Sequence, residues 1–338
     1  MSAIGDSPAA RVLARRHRFQ WWEALPWLLG LAFYFAFPRY LGFGTEVLIT
    51  VLFAISLDLA LGYAGIVTLG HAAFFGAGAY AVGMLAKNGI WTEPISGLVI
   101  AAFVAGLVGL ASGLVLLRTT GLTLLMLTLC TMGLLEESAN MASDVTGGFD
   151  GLDSLPIKPI FGRFEFDVLY SSTQYLYVLG VALVCFIFVR TLIYSPFGHS
   201  LTGIRENMLR MHAVGAPVRW RLVLCYTISA AIAGIAGALW AQANAYVNLS
   251  VLGLDRAATV LIVLVLGGHG RLYGAIVGAV TYMMLEHFLS KAYPTAWQLG
   301  LGLLLVVIAL FARGGILGIV DNLMRRRDKA RDASGPRP

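Results

Sequence analysis

Two ionisable side chains, Asp58 and His71, lie inside otherwise apolar stretches of the sequence. A charge at bilayer depth needs water, a partner charge or a proton, so both residues are candidates for lining a cavity or for carrying a proton. The alternatives also stay open: Asp58 can be a hydrogen-bonded structural carboxyl between helices, and His71 can be a packed residue at a helix contact.

Around these side chains the segment LGYAGIVTLGHAAFFGAG at 61–78 is dense in glycine. In a bilayer, small residues three or four apart let helix backbones touch, which is one explanation of the pattern. The other is a tight connection or a broken helix, whose half-helix N-terminus would present free amide groups to an anionic ligand such as a carboxylate.

The basic segment Ser195–Arg221 lies between long apolar runs and can form a short amphipathic helix. The spacing predicts a cap at Ser200, an end at Gly215 and a stop at Pro217. The predicted apolar stripe consists of Leu201, Ile204, Met208 and Met211. Such a helix can lie on lipid, or it can dock into a groove of a soluble partner and transmit force to the spanning helices.

Several enzyme signatures are absent from the sequence. None of the four lysines follows a glycine, so there is no GK[ST] phosphate loop. There is also no HExxH, no GxSxG and no CxxC. The chain is therefore not expected to be an enzyme or to carry a metal or cofactor, and any ATP would be used by another polypeptide.

The composition is that of a membrane protein, with 58% hydrophobic and 12% charged residues. A window of about 20 apolar residues crosses a bilayer. That criterion predicts an all-α, polytopic integral membrane protein of about ten helices. They are centred at 22–41, 46–61, 66–86, 95–117, 119–138, 172–191, 222–241, 250–267, 272–289 and 295–312.

The basic residues predict the orientation. With an even number of spans both termini share a side with the 195–221 loop, and only six of the 24 Lys and Arg then fall on the other side. The remaining 18 mark the cytoplasm. The predicted organisation is a basic cytoplasmic tail at 1–21, a transmembrane domain at 22–319 with an outer loop at 140–171, and a second basic tail at 320–338. Glu286, near the outer end of the ninth span, is assigned a structural role.

Six motifs in order resemble one transporter family. They are LGYAGIVTLGHAAFFGAGAY at 61–80, VTGGFDGL at 145–152, FGHSLTGIRENMLRMHAVG at 197–215, SAAIAGIAGALWA at 229–241, LGGHGRLYGAIVGA at 266–279 and WQLGLGLLLVVIALFARGGILGI at 297–319. This pattern is similar to that of the permease subunits of branched-chain amino acid ABC importers, the LivM type. The resemblance covers nearly the whole chain beyond the first span.

The resemblance implies a heteromeric importer in the bacterial cytoplasmic membrane. Its other parts would be a LivH-type second permease, two cytoplasmic ABC ATPases and an extracytoplasmic substrate-binding protein. The 195–221 loop would correspond to the coupling helix that docks into an ATPase. We predict that coupling uses Ile204, Arg205, Glu206, Asn207, Met208, Arg210, Met211, Ala213 and Gly215. We predict that the pathway uses Asp58, Tyr63, Gly65, Thr68, Gly70 and His71.

Two alternatives remain at this stage. Relatives that carry urea, amides or aromatic acids have much the same motifs, so the solute is not determined by them. A self-sufficient secondary transporter, coupled to protons or sodium through Asp58 or His71, is the rival mechanism.

Overall fold

The computed structural model describes residues 24–153, 155–156, 171–294, 297, 299–300, 302–303 and 315–318. The predicted tails at 1–21 and 320–338, and residues 154 and 157–170 of the predicted outer loop, lie outside this range. The described chain is helical, with α1 (Leu25–Ala36), α2 (Leu41–Asp58), α3 (Ala72–Lys87), α4 (Pro94–Leu116), α5 (Leu122–Met141), α6 (Ser171–Tyr194), α7 (Pro196–Glu206), α8 (Met208–Ala213), α9 (Val218–Asn244), α10 (Leu254–Gly267) and α11 (Leu272–Ala292).

Among the described helices, seven are long and apolar enough to cross a bilayer: α2, α4, α5, α6, α9, α10 and α11, where α2 and α10 are counted with their adjoining turns. The apolar helices α1 and α3 are shorter. The fourth to ninth predicted spans each coincide with one helix. The tenth, 295–312, lies mostly outside the described residues.

The first three predicted spans differ from the structure at their boundaries. The backbone bends at Phe37, and Pro38 begins a new turn that leads into α2 at Leu41, five residues before the predicted start at 46. Proline favours the first position of a helical turn because its missing N–H is not needed there. The third span begins as α3 at Ala72 rather than at 66, because residues 64–71 are not helical.

Two helices form the centre of the molecule. In α2 and in α9, 72% of the residues in the most apolar 18-residue stretch are buried. The corresponding share is 17–39% in the other spanning helices. The long helix α9 packs against α4, α3 and α2. Its approach to α3 depends on glycine, because a Cβ atom on Gly237 would overlap the carbonyl oxygen of Phe75. The glycine pattern therefore serves close helix packing at this contact.

The connections divide into two ends. One end, which we call the α7 end, holds the 195–217 segment, the connection from α2 to α3 and the α10–α11 loop at 268–271. The opposite end holds the α3–α4 connection and the loop at 147–153. There, Leu152 and Val247 exchange backbone hydrogen bonds of 2.7 and 3.0 Å, which tie this loop to the segment after α9.

Candidate functional site

The segment between α6 and α9 begins with a capped helix. Ser195 accepts a hydrogen bond from the backbone N–H of Gly198, and Pro196 occupies the first position of α7. The predicted cap at Ser200 is wrong: Ser200 lies inside α7, where its hydroxyl donates to the carbonyl of Phe197. The pair Ser195–Pro196 starts the helix earlier because it supplies both the acceptor and the preset φ angle.

Asn207 divides the predicted single helix into two. Its backbone is extended, and its side-chain oxygen accepts from the N–H of Arg210 at 2.9 Å, so it caps α8. Asparagine readily competes with a helix in this way. The predicted stripe is therefore not continuous: Leu201 and Ile204 on α7 are buried, whereas Met208 on α8 is exposed.

The 207–215 portion presents apolar side chains to its surroundings. Leu209 is 83% exposed and Val214 is 77% exposed. Both lie within the predicted coupling range Ile204–Gly215, although neither belongs to the predicted apolar stripe, of which Leu201 and Ile204 are buried. Gly215, with φ +82°, follows the end of α8 as predicted. Of the predicted coupling residues, Ile204 packs into the core and Met211 is half-buried. The others are exposed: Arg205, Glu206, Asn207, Met208, Arg210, Ala213 and Gly215.

Arg205 connects α7 to the break between α2 and α3. Its guanidinium donates to the backbone carbonyl of Gly62, which lies in the π-helical turn Leu59–Tyr63 that follows α2. A Cβ atom on Gly65 would lie 2.9 Å from Arg205 Cγ, and one on Gly270 would lie 2.8 Å from a guanidinium nitrogen. Two glycine positions, Gly65 and Gly270, therefore make room for one arginine.

Asp58 lies next to this contact. It is 1% exposed, and its Oδ1 accepts a hydrogen bond from the backbone N–H of Gly270 at 2.7 Å. Its Oδ2 is buried and has no hydrogen-bond partner within the part of the chain that the structure describes. Asp58 thus ties the end of α2 to the α10–α11 loop.

A second buried polar cluster lies where α3 begins. Ser56 Oγ and His71 Nε2 are 3.0 Å apart, and the Ser229 hydroxyl donates to the Ser56 carbonyl. The His71 ring stacks on Phe53, with centroids 5.7 Å apart. Thr68 Oγ1 accepts from the N–H of Gly70 at 3.1 Å. These contacts fix the non-helical connection between α2 and α3 against α9.

The predicted pathway residues are thus brought together in one connection. Asp58, Thr68, Gly70 and His71 are buried, Tyr63 is half-buried and Gly65 is exposed. None of the six lines either of the two large cavities described here. In this conformation the break is therefore a packed joint between helices.

The two large cavities lie elsewhere. One, of about 620 Å³, lies at the opposite end between α2, α9, α10 and α11, and charged and aromatic side chains line it. They include Glu46, Trp240, Arg256, Tyr282 and Glu286. The other, of about 820 Å³, is an apolar groove between α1, α4 and α6. No group of three or more His, Cys, Asp or Glu side chains within the described residues could hold a metal ion.

Comparisons with known proteins agree on one family. A family model described as the permease component of the branched-chain amino acid transport system matches residues 40–310. The high-affinity branched-chain amino acid permease protein LivM of Salmonella typhimurium is 28% identical over 298 residues, which cover 81% of this chain and 68% of that protein. LivM of Escherichia coli strain K12 is 27% identical over 310 residues, which cover 85% of this chain and 72% of that protein.

A more distant relative carries a different name. The autoinducer 2 import permease protein LsrC of Escherichia coli O9:H4 is 24% identical over 200 residues, which cover 56% of each chain. No solved structure matches the chain.

Proposed function

This chain belongs to the family of branched-chain amino acid transport permease components, and on that basis we propose that it is the membrane subunit of an ATP-driven importer for branched-chain or related amino acids. As a family member with several apolar spans, it is a multi-pass protein of the bacterial inner membrane. The family consists of transport permease subunits and not of enzymes. Energy would come from two cytoplasmic ABC ATPases.

The observation that supports the proposal best is the path from an exposed surface to a buried joint. The 207–215 portion exposes Met208, Leu209 and Val214, which suits docking on a soluble ATPase. Immediately before it, Arg205 contacts Gly62 in the break between α2 and α3. A displacement of α7 would therefore be transmitted to the end of α2, at the centre of the helical bundle, through the contact between Arg205 and Gly62.

In this mechanism the α7 end faces the cytoplasm. ATP binding closes the ATPase pair and moves the 195–217 segment, and Arg205 passes the movement to the α2–α3 connection. The α2–α3 connection adjoins α2 and packs against α9, and these are the two most buried spanning helices. A shift of this connection therefore alters the packing around both helices. The states differ in their affinity for nucleotide and for a loaded substrate-binding protein, and this difference drives the cycle.

The predicted coupling and pathway residues have different parts in this proposal. Arg205 positions the joint, whereas Met208, Leu209 and Arg210 contact the ATPase. Asp58, Thr68 and His71 hold the joint together. A LivH-type permease would complete the pathway, and an extracytoplasmic binding protein would deliver the solute to the opposite end.

Uptake into proteoliposomes tests the proposal. The chain is reconstituted with its partner permease, ATPases and binding protein, and radiolabelled leucine uptake is compared with ATP inside or with a proton gradient alone. We expect uptake only with ATP and binding protein. Uptake by the proton gradient alone would instead support a secondary transporter, and uptake of urea or phenylacetate without leucine would reassign the solute.

A further inference from the structure

The cavity at the opposite end contains an unusual set of charges for a membrane protein. Glu46 lies on α2, Arg256 on α10 and Glu286 on α11, and all three side chains line the same space of about 620 Å³. Each is near the end of its helix that lies farther from the 195–217 segment. The cavity thus lies where a solute from outside would arrive, if the α7 end is cytoplasmic.

These charges do not neutralise one another by direct contact. Within the described residues, none of the three side chains forms an ion pair within 4.0 Å or a side-chain hydrogen bond. Charged groups in a bilayer are costly unless they are paired or hydrated. With Asp255, which also lines the cavity, one guanidinium and three carboxylates face this space, and such a cavity suits a polar occupant.

Aromatic side chains hold Arg256 in place without using its hydrogen-bond donors. Its Cζ atom lies 5.3 Å from the ring centroid of Phe75 and 5.3 Å from that of Trp240. Cation–π contacts of this kind orient a guanidinium and leave its N–H groups free for a planar anion. A carboxylate is the simplest such anion, because it can accept two parallel hydrogen bonds.

One part of the lining is suited to an apolar side chain, while Thr50, Asn244, Ser250, Asp255 and Thr259 make the remainder polar. Ile262, Met283, Trp240 and Tyr282 line the apolar part of the cavity. The cavity volume lies within the range of about 300–1,000 Å³ that is typical of small-molecule sites. The site thus combines one cationic group, three anionic groups and a partly apolar wall.

We infer that this cavity is the permease's own binding site for the zwitterion of an apolar α-amino acid. Arg256 binds the carboxylate, Glu46 and Glu286 bind the ammonium group, and the wall of Trp240, Ile262 and Met283 contacts the side chain. This inference rests on the proposed transport function, since it states where the arriving solute binds before the joint moves. Glu286, to which the sequence assigns only a structural role, becomes a ligand-binding residue.

The binding test uses the full chain in lipid nanodiscs and three probes of similar shape. Leucine carries both charges, 4-methylpentanoate lacks the ammonium group, and 3-methylbutylamine lacks the carboxylate. A ligand that binds the folded state raises the unfolding temperature. We expect leucine to raise it at concentrations at which neither analogue does. The inference is overturned if no leucine shift is found, or if either analogue matches leucine.

Matched variants assign the roles. Arg256→Gln and Glu286→Gln should each weaken leucine binding on the order of 10- to 100-fold, and Arg256→Lys should retain part of it. Arg39→Gln and Glu137→Gln remove the same groups at exposed positions away from the cavity and should bind like the wild type. Unchanged binding by Arg256→Gln in a chain that unfolds normally contradicts the inference.

Uptake by the reconstituted importer separates this inference from the proposed function. If the wild type imports leucine with ATP and Arg256→Gln imports it equally well, the cavity is not the binding site although the transport function stands. If the wild type imports no branched-chain amino acid, the proposed function itself fails. We expect Arg256→Gln to lower the maximal rate by about tenfold or more, with Arg39→Gln unchanged.

Discussion

The guanidinium of Arg205 donates a hydrogen bond to the backbone carbonyl of Gly62, a residue 143 positions earlier in the chain. This contact joins α7, which belongs to an exposed segment, to the π-helical turn at the end of α2. Gly65 and Gly270 leave the space that the arginine side chain fills. Movement of α7 must therefore carry the α2–α3 connection with it or break this contact.

Replacing Arg205 should uncouple the movement of α7 from that of the α2–α3 connection. We expect Arg205→Ala to lower ATP-driven uptake by about 5- to 150-fold, the range of typical coupling free energies, while the ATPases still bind and hydrolyse ATP. Arg205→Lys should retain part of the uptake because its ammonium can still reach a carbonyl. The measurement is the ratio of leucine imported to ATP hydrolysed in proteoliposomes.

Arg118 offers a matched control for this prediction. It is an exposed arginine that follows the end of α4 and donates to the carbonyl of Leu114 in that helix. Arg118→Ala should leave the transport ratio unchanged. Equal ratios for Arg205→Ala and the wild type would show that the Gly62 contact does not transmit the movement.

Asp58 should contribute mainly as a hydrogen-bond acceptor. Asp58→Asn keeps an oxygen for the N–H of Gly270, whereas Asp58→Ala leaves that N–H without it, at a cost of about 1–3 kcal/mol. We therefore expect the unfolding temperature to be highest in the wild type, slightly lower in Asp58→Asn and much lower in Asp58→Ala. Uptake should survive in Asp58→Asn. Complete loss of uptake in a normally stable Asn variant would favour a proton-carrying carboxyl.

Close packing of α3 on α9 should be sensitive to a single methyl group. A Cβ on Gly237 would overlap the carbonyl oxygen of Phe75, so we expect Gly237→Ala to destabilise the chain by about 1–3 kcal/mol. Gly180, on α6, has no atom within 4 Å of the position of its Cβ. Gly180→Ala should therefore be neutral or slightly stabilising, because alanine favours a helix. Thermal unfolding in detergent distinguishes the two, and equal midpoints would contradict the packing argument.

The sequence predicts the long helices well and the local breaks poorly. Uninterrupted apolar runs such as 95–117 reveal α4 because length and hydrophobicity suffice to define a span. The break at Asn207 depends on a side chain that competes with the helix for one N–H group, and hydrophobic periodicity does not report such competition. The start of α2 at Leu41 likewise follows from the local geometry at Phe37 and Pro38.

Tertiary packing explains what the sequence could not indicate about the sites. Glu46, Arg256 and Glu286 come from three helices, and nothing in their local sequence shows that they face one cavity. For the glycine-rich 61–78 segment the sequence leaves close helix packing and a break both open, and the structure has a break at 64–71. His71 in this segment is packed against Ser56 and Ser229 and does not line either large cavity. The neighbours of Asp58 and His71 could be found only from the fold.

Orientation can be tested by cysteine labelling. Leu209 and Ile90 are 83% and 67% exposed at the two ends of the molecule. The exposed native Cys130 is first replaced by serine. In intact cells a membrane-impermeant maleimide should label Ile90→Cys but not Leu209→Cys, and disrupted cells should allow both. Labelling of Leu209→Cys in intact cells would place the α7 end outside and remove the basis for ATPase docking.

The most direct test of the central claim is whether the ATPase subunits co-purify with the chain through the surface that includes Leu209. An aspartate at position 209 places a charge in the apolar contact, whereas Ile90→Asp makes the same kind of change at the opposite end. We expect the wild type and Ile90→Asp to retain the ATPases and to import leucine, and Leu209→Asp to insert normally but lose both. Full ATPase retention and undiminished uptake in Leu209→Asp would contradict the account.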